Sequence, residues 1–195
     1  MKNFFCPIGF IIALTLLCYS CKNKLTPLEE SYRNLKNSEI IFPQDLQLTW
    51  EGKDTTLNNY LNTDFKLIIY RDSISCNQCY LETFPQWNKL KCELDSCYGP
   101  CLSFIYILSP LQKDEADLRF SLQVLDFKHP IYLDKNKSFQ RYNPQVPHER
   151  SLQIFLVNKK NKVILIGDPL TNKKIRLLLE KKIQTNSIIN NLFNF

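Results

Sequence analysis

The segment Leu67-Ile68-Ile69-Tyr70 and the pair Cys76-Asn77-Gln78-Cys79 that follows it decide the fold. The apolar run predicts a buried β-strand, and large apolar side chains recurring every three or four residues after Cys79 predict a helix. A thiolate at the start of a helix is stabilised by free backbone N–H groups and by the helix dipole, so the first cysteine becomes nucleophilic near neutral pH. The pattern indicates thiol-disulfide chemistry, although structural disulfides and half of a zinc site share this spacing.

The remaining chain predicts strands and helices in alternation around that centre. Residues 102–108 form a continuous β-prone run, which predicts a strand buried on both faces of a sheet. Leu118, Leu122 and Leu125 recur at helical spacing and predict a crossover helix. Pro85 is expected to kink the helix that follows the cysteine pair. Further strands are predicted over residues 46–50, 130–134, 152–157 and 162–167, the last two as a hairpin, and a closing helix over residues 175–183.

The N-terminus has the layout of an export signal. Lys2 precedes an apolar run over residues 8–17 that is too short to span a bilayer comfortably, so residues 1–20 are predicted to be a signal peptide. Ser20-Cys21 ends this region as in the lipobox of bacterial lipoproteins, which makes Cys21 the predicted site of lipidation. An uncleaved anchor or an ordinary secretory signal is the alternative. In each case the mature domain lies outside the cytoplasm.

Composition and length indicate one globular domain. A chain of 195 residues with 44% hydrophobic content can bury one sizeable core. The polar, irregular residues 21–45 are predicted to be a mobile tether, residues 46–183 the domain, and residues 184–195 a tail. The net charge of +6 is spread without a long basic run or a recognisable reader motif, which argues against nucleic-acid binding.

Three further cysteines lie beyond the pair. Because disulfides persist in exported proteins, Cys97 and Cys101 are predicted to close a small disulfide loop with Cys92 left free; the alternative is that Cys92 pairs with one of them instead. A zinc site is the alternative, since the Cys76 and Cys79 pair together with Cys97 and Cys101 has ribbon-like spacing and would supply four thiolates.

Three segments together resemble a known family. They are residues 52–57, the strand with Ser75-Cys76-Asn77-Gln78-Cys79, and the hairpin over residues 154–163. On these the chain is similar to thioredoxin-like proteins of the membrane-tethered TlpA/ResA type and to the thioredoxin-like lipoproteins of Bacteroidetes. The resemblance implies an α/β fold with a central mixed sheet flanked by helices and a C-terminal β-hairpin and helix. It also implies a periplasmic, membrane-anchored oxidoreductase that acts on thiols or disulfides of envelope proteins without a further cofactor.

The resemblance also assigns roles to the site residues. Cys76 would attack a client disulfide and Cys79 would resolve the mixed disulfide, because exchange depends on the thiolate fraction of the attacking group. Glu82 stands three residues after Cys79, so on a helix it shares nearly the same face and could accept a proton from the resolving thiol if it is partly buried. A solvated helix residue is the alternative for Glu82, and His148 is expected at the surface.

A binding module is the second functional hypothesis. The family usually carries an aromatic residue where Ser75 stands, and a cis-proline where this chain has Ser151 or Leu152, with a trans bond expected there. Under this hypothesis a degenerate thioredoxin fold holds a partner, and the pair Cys76 and Cys79 forms a structural disulfide without turnover.

Overall fold

The computed structural model describes residues 25–55, 61–74, 81–125, 127 and 129–193. In these ranges, a seven-stranded mixed sheet lies between two covering layers. Its strands are β1 (Gln47–Trp50), β2 (Lys53–Asp54), β3 (Phe65–Ile74), β4 (Leu102–Pro110), β5 (Ile131–Leu133), β6 (Ile154–Asn158) and β7 (Val163–Ile166). The α-helices are α1 (Pro27–Leu35), α2 (Phe84–Tyr98), α3 (Glu115–Val124), α4 (Ser138–Tyr142) and α5 (Lys173–Phe193).

The sheet has the strand order β2-β1-β5-β4-β3-β6-β7. Strands β3, β4 and β5 run parallel, whereas β1 pairs antiparallel with β5, and β6 pairs antiparallel with β3 and β7. Strand β3 therefore has a parallel neighbour on one side and an antiparallel neighbour on the other. The predicted alternation of strands and helices and the C-terminal hairpin are confirmed, as is the fold class, a central mixed sheet flanked by helices.

The central strands are apolar on both sides. All nine residues of β4 are buried, which confirms the prediction for residues 102–108 and extends the strand to Pro110. Alternate side chains of β3 enter two different clusters, Leu67 and Ile69 on one face and Ile68 and Tyr70 on the other. Because side chains alternate along a strand, a continuous apolar run is what a sheet covered on both faces requires.

Helices α2, α3 and α5 cover one side of the sheet, which we call the helical face. Helix α2 buries Phe84, Trp87, Leu90 and Leu94 there, at the spacing that the sequence predicts. The helical conformation is interrupted between Leu81 and α2, immediately before Pro85, where the sequence predicts a kink. Glu82 and Thr83 form a turn, α2 begins at Phe84, and the proline occupies its first turn, where a missing N–H removes no intrahelical hydrogen bond.

The opposite side, which we call the loop face, is covered by residues 35–46, α4 and the loop before β6. The prediction of a mobile tether is wrong for residues 35–45. Leu35 and Ile40 are buried in this cluster, and the N–H of Ile40 donates to the carbonyl of Asn161 at 2.9 Å. The folded domain therefore begins before residue 46.

The C-terminal helix is longer than the sequence predicts. Helix α5 runs from Lys173 to Phe193, so most of the predicted tail of residues 184–195 is helical. Among the residues that the structure describes, no helix has the length and apolar character needed to cross a bilayer. The predicted signal peptide and Cys21 lie outside the described residues.

Candidate functional site

The candidate site lies where strand β3 ends. The strand ends at Ile74, and Cys76 follows two residues later; Ser75, Cys76 and Cys79 lie outside the described residues. Strand β3 separates the parallel part of the sheet from the antiparallel hairpin. In open α/β sheets, ligands bind outside the carboxyl ends of the parallel strands. The carboxyl end of β3 is therefore a suitable place for a site, and in the sequence Cys76 follows it by two residues.

An acid and a histidine meet at this end of β3. Nδ1 of His148 lies 2.5 Å from a carboxylate oxygen of Asp72, although the two residues are 76 positions apart. Burial raises the pKa of Asp72, but hydrogen bonds with His148 and Gln153 outweigh it and leave the pKa below its ordinary value. The His148 side chain is 78% exposed, so it lies at the surface as predicted. Sequence reasoning missed Asp72, because its partner comes from a distant loop.

The loop before β6 borders the same end of the sheet. It forms a short 3-10 helix, Arg150–Leu152, at the place where the resemblance puts a cis-proline. The N–H of Leu152 donates to the carbonyl of Glu149, and the N–H of Gln153 donates to that of Arg150, so these donors are used within the loop. The peptide bonds here are trans, as expected. The carbonyl of Gln153 accepts from the N–H of Tyr70, which ties this loop to β3.

A groove of about 470 Å³ lies beside this loop. Its floor is apolar and includes Leu152 and Ile175, while Arg71 of β3 and the exposed Arg150 lie on its walls. The guanidinium of Arg71 donates to the carbonyl of Tyr70 at 2.7 Å, which holds its side chain along the strand. Asp168 also lines the groove, so its charges are mixed, and its apolar side chains suit an extended peptide segment.

Glu82, the predicted proton acceptor, follows the cysteine pair. It lies in the turn between Leu81 and α2, and its side chain is exposed. It lines a second depression with exposed apolar residues of α3, Phe120 and Val124. This exposure agrees with the alternative of a solvated residue, and the role of Glu82 as proton acceptor stays a prediction.

The three other cysteines are separate thiols in the structure. Cys92 and Cys97 are exposed on α2, and Cys101 is half-buried after the helix. The predicted disulfide between Cys97 and Cys101 is therefore not formed. Burial raises the pKa of the Cys101 thiol, which makes it a poor nucleophile. In the part of the chain that the structure describes, no three ligand-type side chains cluster as a metal ion would require.

A buried carboxylate supports the sheet edge next to the site. Asp134 follows β5 and accepts hydrogen bonds from the N–H groups of Ser138 and Phe139, at 2.7 and 3.1 Å, and from the hydroxyl of Ser109. Burial raises its pKa, and these hydrogen bonds oppose that rise. The nearby Tyr70 hydroxyl is also buried, which raises the pKa of Tyr70. These hydrogen bonds join α4 to β4 and to the end of β5, so the role of Asp134 is structural.

Comparisons with known proteins yield structural neighbours only. No known family profile and no curated protein matches the chain. Solved structures with a similar outline include the thioredoxin domain of a thiol-disulfide oxidoreductase from Bacteroides vulgatus, at 14% identity over 73% of this chain and 96% of that one, with a TM-score of 0.47. A thioredoxin-like protein from Bacteroides caccae is 17% identical over 87% and 60% of the two chains, with a TM-score of 0.48. An uncharacterised thioredoxin-like protein from Porphyromonas gingivalis is 16% identical over 76% and 93%, also at 0.48.

These TM-scores lie below 0.5, so the fold assignment rests on the sheet itself. The parallel strands β3 and β4 are joined through α2, the antiparallel hairpin of β6 and β7 adds to the other edge of β3, and α5 closes the chain on the helical face. The cysteine pair follows the strand that these elements surround. This topology identifies the fold of the chain as thioredoxin-like.

Proposed function

We propose that this protein is a lipid-anchored thiol-disulfide oxidoreductase of the bacterial cell envelope, acting through Cys76 and Cys79. One observation carries the proposal: the pair Cys76-Asn77-Gln78-Cys79 directly follows the central strand β3 at the change from parallel to antiparallel pairing. The groove beside Arg71 and Arg150 adds support, since it offers a client segment an apolar floor next to that strand end. Lipid on Cys21 would hold the enzyme at a membrane facing the periplasm.

The proposed reaction is a two-step exchange. The Cys76 thiolate attacks one sulfur of a client disulfide, the client S–S bond breaks, and one client thiolate leaves. The Cys79 thiolate then attacks the sulfur of Cys76, the mixed disulfide breaks, and the second client thiolate leaves. The client gains two electrons and takes up two protons, and the enzyme is left with a disulfide between its two cysteines. The reverse sequence oxidises a client dithiol.

Reactivity of the two thiols tests this function. Cys76 should have a pKa below the ordinary value of about 8.5 and react with iodoacetamide before Cys79 does. Replacement Cys76→Ser should abolish reduction of insulin disulfides, whereas Cys79→Ser should accumulate a mixed disulfide with a client. Cys92→Ser is the matched control and should keep full activity. Ordinary reactivity of Cys76 together with an inactive parent protein would reject the oxidoreductase.

Two carboxylates can be compared for the proton transfer at the resolving thiol. Glu82 is near Cys79 in sequence but is exposed, whereas Asp72 is partly buried and lies at the end of β3. Glu82→Gln should slow resolution if Glu82 is the acceptor, whereas Asp72→Asn should leave it nearly unchanged, because hydrogen bonds hold the pKa of Asp72 below its ordinary value and make it a weak proton acceptor. Stopped-flow measurement of both variants separates attack from resolution. An unchanged rate of resolution in Glu82→Gln would reject the role that the sequence predicts for Glu82.

A binding module is the second candidate function. The 3-10 loop Arg150–Leu152 favours it, because Ser151 or Leu152 stands in place of a cis-proline and the N–H of Leu152 donates within the loop. The reduction potential of the pair Cys76 and Cys79 decides between the two. Structural disulfides of secreted proteins lie below about −300 mV, and catalytic ones are more oxidising.

A further inference from the structure

Helix α1 carries apolar side chains that the described residues leave partly exposed. Leu28 and Tyr32 are one helical turn apart and are 50% and 38% exposed, and Leu25 just before the helix is 40% exposed. Of the helix residues, Leu35 alone is buried. A nine-residue helix is shorter than the roughly 12–15 residues that are marginally stable alone in water, so this apolar side is suited to a partner surface.

The start of the helix is nevertheless well defined. Thr26 and Glu29 form a reciprocal capping box, in which the Thr26 N–H donates to the Glu29 carboxylate at 2.8 Å and the Glu29 N–H donates to the Thr26 hydroxyl. At the other end, the N–H groups of Asn37 and Ile40 donate to carbonyls of the β6–β7 hairpin. The apolar side chains are thus presented at a fixed angle to the domain.

The charge around this surface favours an anionic partner. Residues 22–36 carry four basic and two acidic side chains, and one of the acids, Glu29, is engaged in the capping box. Arg33 and Lys36 line the same shallow depression as Leu25, Leu28 and Tyr32. The ammonium of Lys36 lies 5.8 Å from the centre of the Tyr32 ring, beside the apolar patch rather than away from it. Apolar side chains flanked by cations are the pattern of a helix that lies in the interface of an anionic membrane.

The length of chain before the helix points to the same partner. Leu25 is the fourth residue after Cys21, so the two Cα atoms are at most about 14 Å apart. If Cys21 carries lipid, as the proposed function states, Leu25 cannot leave the neighbourhood of the bilayer surface. The apolar patch is then held against lipid headgroups by a short connection.

Helix α1 also lies next to the groove at the end of β3. Tyr32 and Leu152 line both the depression on α1 and the groove that contains Arg71. Arg71 is five residues before Cys76, which is at most about 18 Å of extended chain. We infer that the patch Leu25, Leu28 and Tyr32 docks on the anionic lipid surface beside the Cys21 anchor and holds the end of β3 close to the membrane. The substrate class that follows is disulfides or dithiols in membrane-proximal segments of envelope proteins.

Binding to vesicles tests the inference without the lipid anchor. The mature chain of residues 21–195 with Cys21→Ser is mixed with vesicles of phosphatidylethanolamine and phosphatidylglycerol, and with phosphatidylcholine vesicles as the uncharged comparison. The protein should float with the anionic vesicles and only weakly with the neutral ones. The double replacement Leu25→Asp and Leu28→Asp should lower the partition coefficient about tenfold or more. Leu177→Asp with Leu178→Asp, on exposed leucines of α5, is the matched control and should bind as the parent does.

Hydrogen exchange on the lipidated protein detects vesicle binding that is too weak to be seen in the flotation experiment. Amides of residues 27–35 should exchange several-fold more slowly on anionic vesicles than in detergent, and the Leu25 and Leu28 variant should lose this protection. Lipid docking would be overturned if exchange in the parent were the same on vesicles and in detergent, or if the control variant lost as much protection as the Leu25 and Leu28 variant. It would also be overturned if protection required an added envelope protein. Insulin reduction by the α1 variant should stay at the parental rate, so failure of docking and failure of the redox function give different results.

Discussion

The two faces of the sheet are covered in different ways. On the helical face, three helices cover the sheet, and Phe84 of α2 stacks on Phe127 at 4.1 Å between ring centroids. On the loop face, Tyr70 of β3 packs against Phe139 of the five-residue helix α4 at 4.8 Å, and most of the cover is irregular chain. The apolar residues of a covering helix recur every three or four positions, so the helix can be detected in the sequence. The apolar residues of an irregular segment are buried to the same extent, but they have no regular spacing.

The largest effect is expected at the centre of the helical face. Trp87 is buried, and its ring meets that of Phe104 edge-on at 5.9 Å between centroids. Trp87→Ala should lower the free energy of unfolding by about 3–5 kcal/mol, because the cavity cannot be refilled by a rigid sheet. Urea denaturation measures this loss. Phe120→Ala on the exposed side of α3 is the aromatic control, and an equal loss there would contradict the assignment of the core.

A slightly smaller effect is expected on the loop face. Ile40 is buried, and its neighbour Ile41 is 50% exposed, which gives two isoleucines in adjacent positions. Ile40→Ala should cost about 2–4 kcal/mol of unfolding free energy, and Ile41→Ala close to none. If residues 35–45 were a mobile tether, the two variants would unfold at the same urea concentration. This pair therefore measures directly how much an irregular cover contributes.

One titrating group on each face should change the free energy of unfolding with pH, and the two contributions should have opposite signs. Burial, with Lys91 nearby, lowers the pKa of His129 on the helical face to about 4, while Asp95 opposes the shift. The unfolded chain binds this proton near pH 6.5, so His129 should cost about 2 kcal/mol of stability as the pH falls from 6.5 to 4. Asp134 on the loop face has a raised pKa, so its contribution is present at low pH and is lost as the pH rises.

The variant His129→Gln isolates the first of these contributions. The difference in unfolding free energy between parent and variant should change across pH 4 to 6.5 and stay constant above that range. Asp134→Asn gives the corresponding comparison for the loop face, with the opposite slope. A parent and a His129→Gln variant whose stabilities change in parallel with pH would show that the imidazole is solvated.

The smallest effect is expected on the outward side of the helical face. Because Cys97 is an exposed, separate thiol, Cys97→Ser should change the unfolding free energy by less than about 0.5 kcal/mol under oxidising and reducing conditions alike. A loop disulfide between Cys97 and Cys101 would instead contribute about 2 kcal/mol. A loss of that size, found only under oxidising conditions and matched by Cys101→Ser, would restore the disulfide that the sequence predicts.

The sequence by itself determined the central strands, the helices of the helical face, the hairpin and the position of the cysteine pair after β3. These features are local, since the residues that form them are neighbours along the chain and show the periods of a strand or a helix. The site was predictable to the same extent: Cys76 and Cys79 form a local pattern, and their place after an apolar run implies the edge of a sheet.

Only the tertiary structure decided which groups gather around that pattern. Asp72 and His148 are in contact although they are 76 positions apart in the sequence. The N–H of the buried Ile40 donates to the carbonyl of Asn161, in the distant β6–β7 hairpin. Glu82 is exposed in the tertiary structure. Residues 35–45, which the sequence predicts to be part of a tether, pack against the loop face of the sheet. Contacts of this kind depend on how the chain folds back on itself, so no period or spacing along the sequence records them.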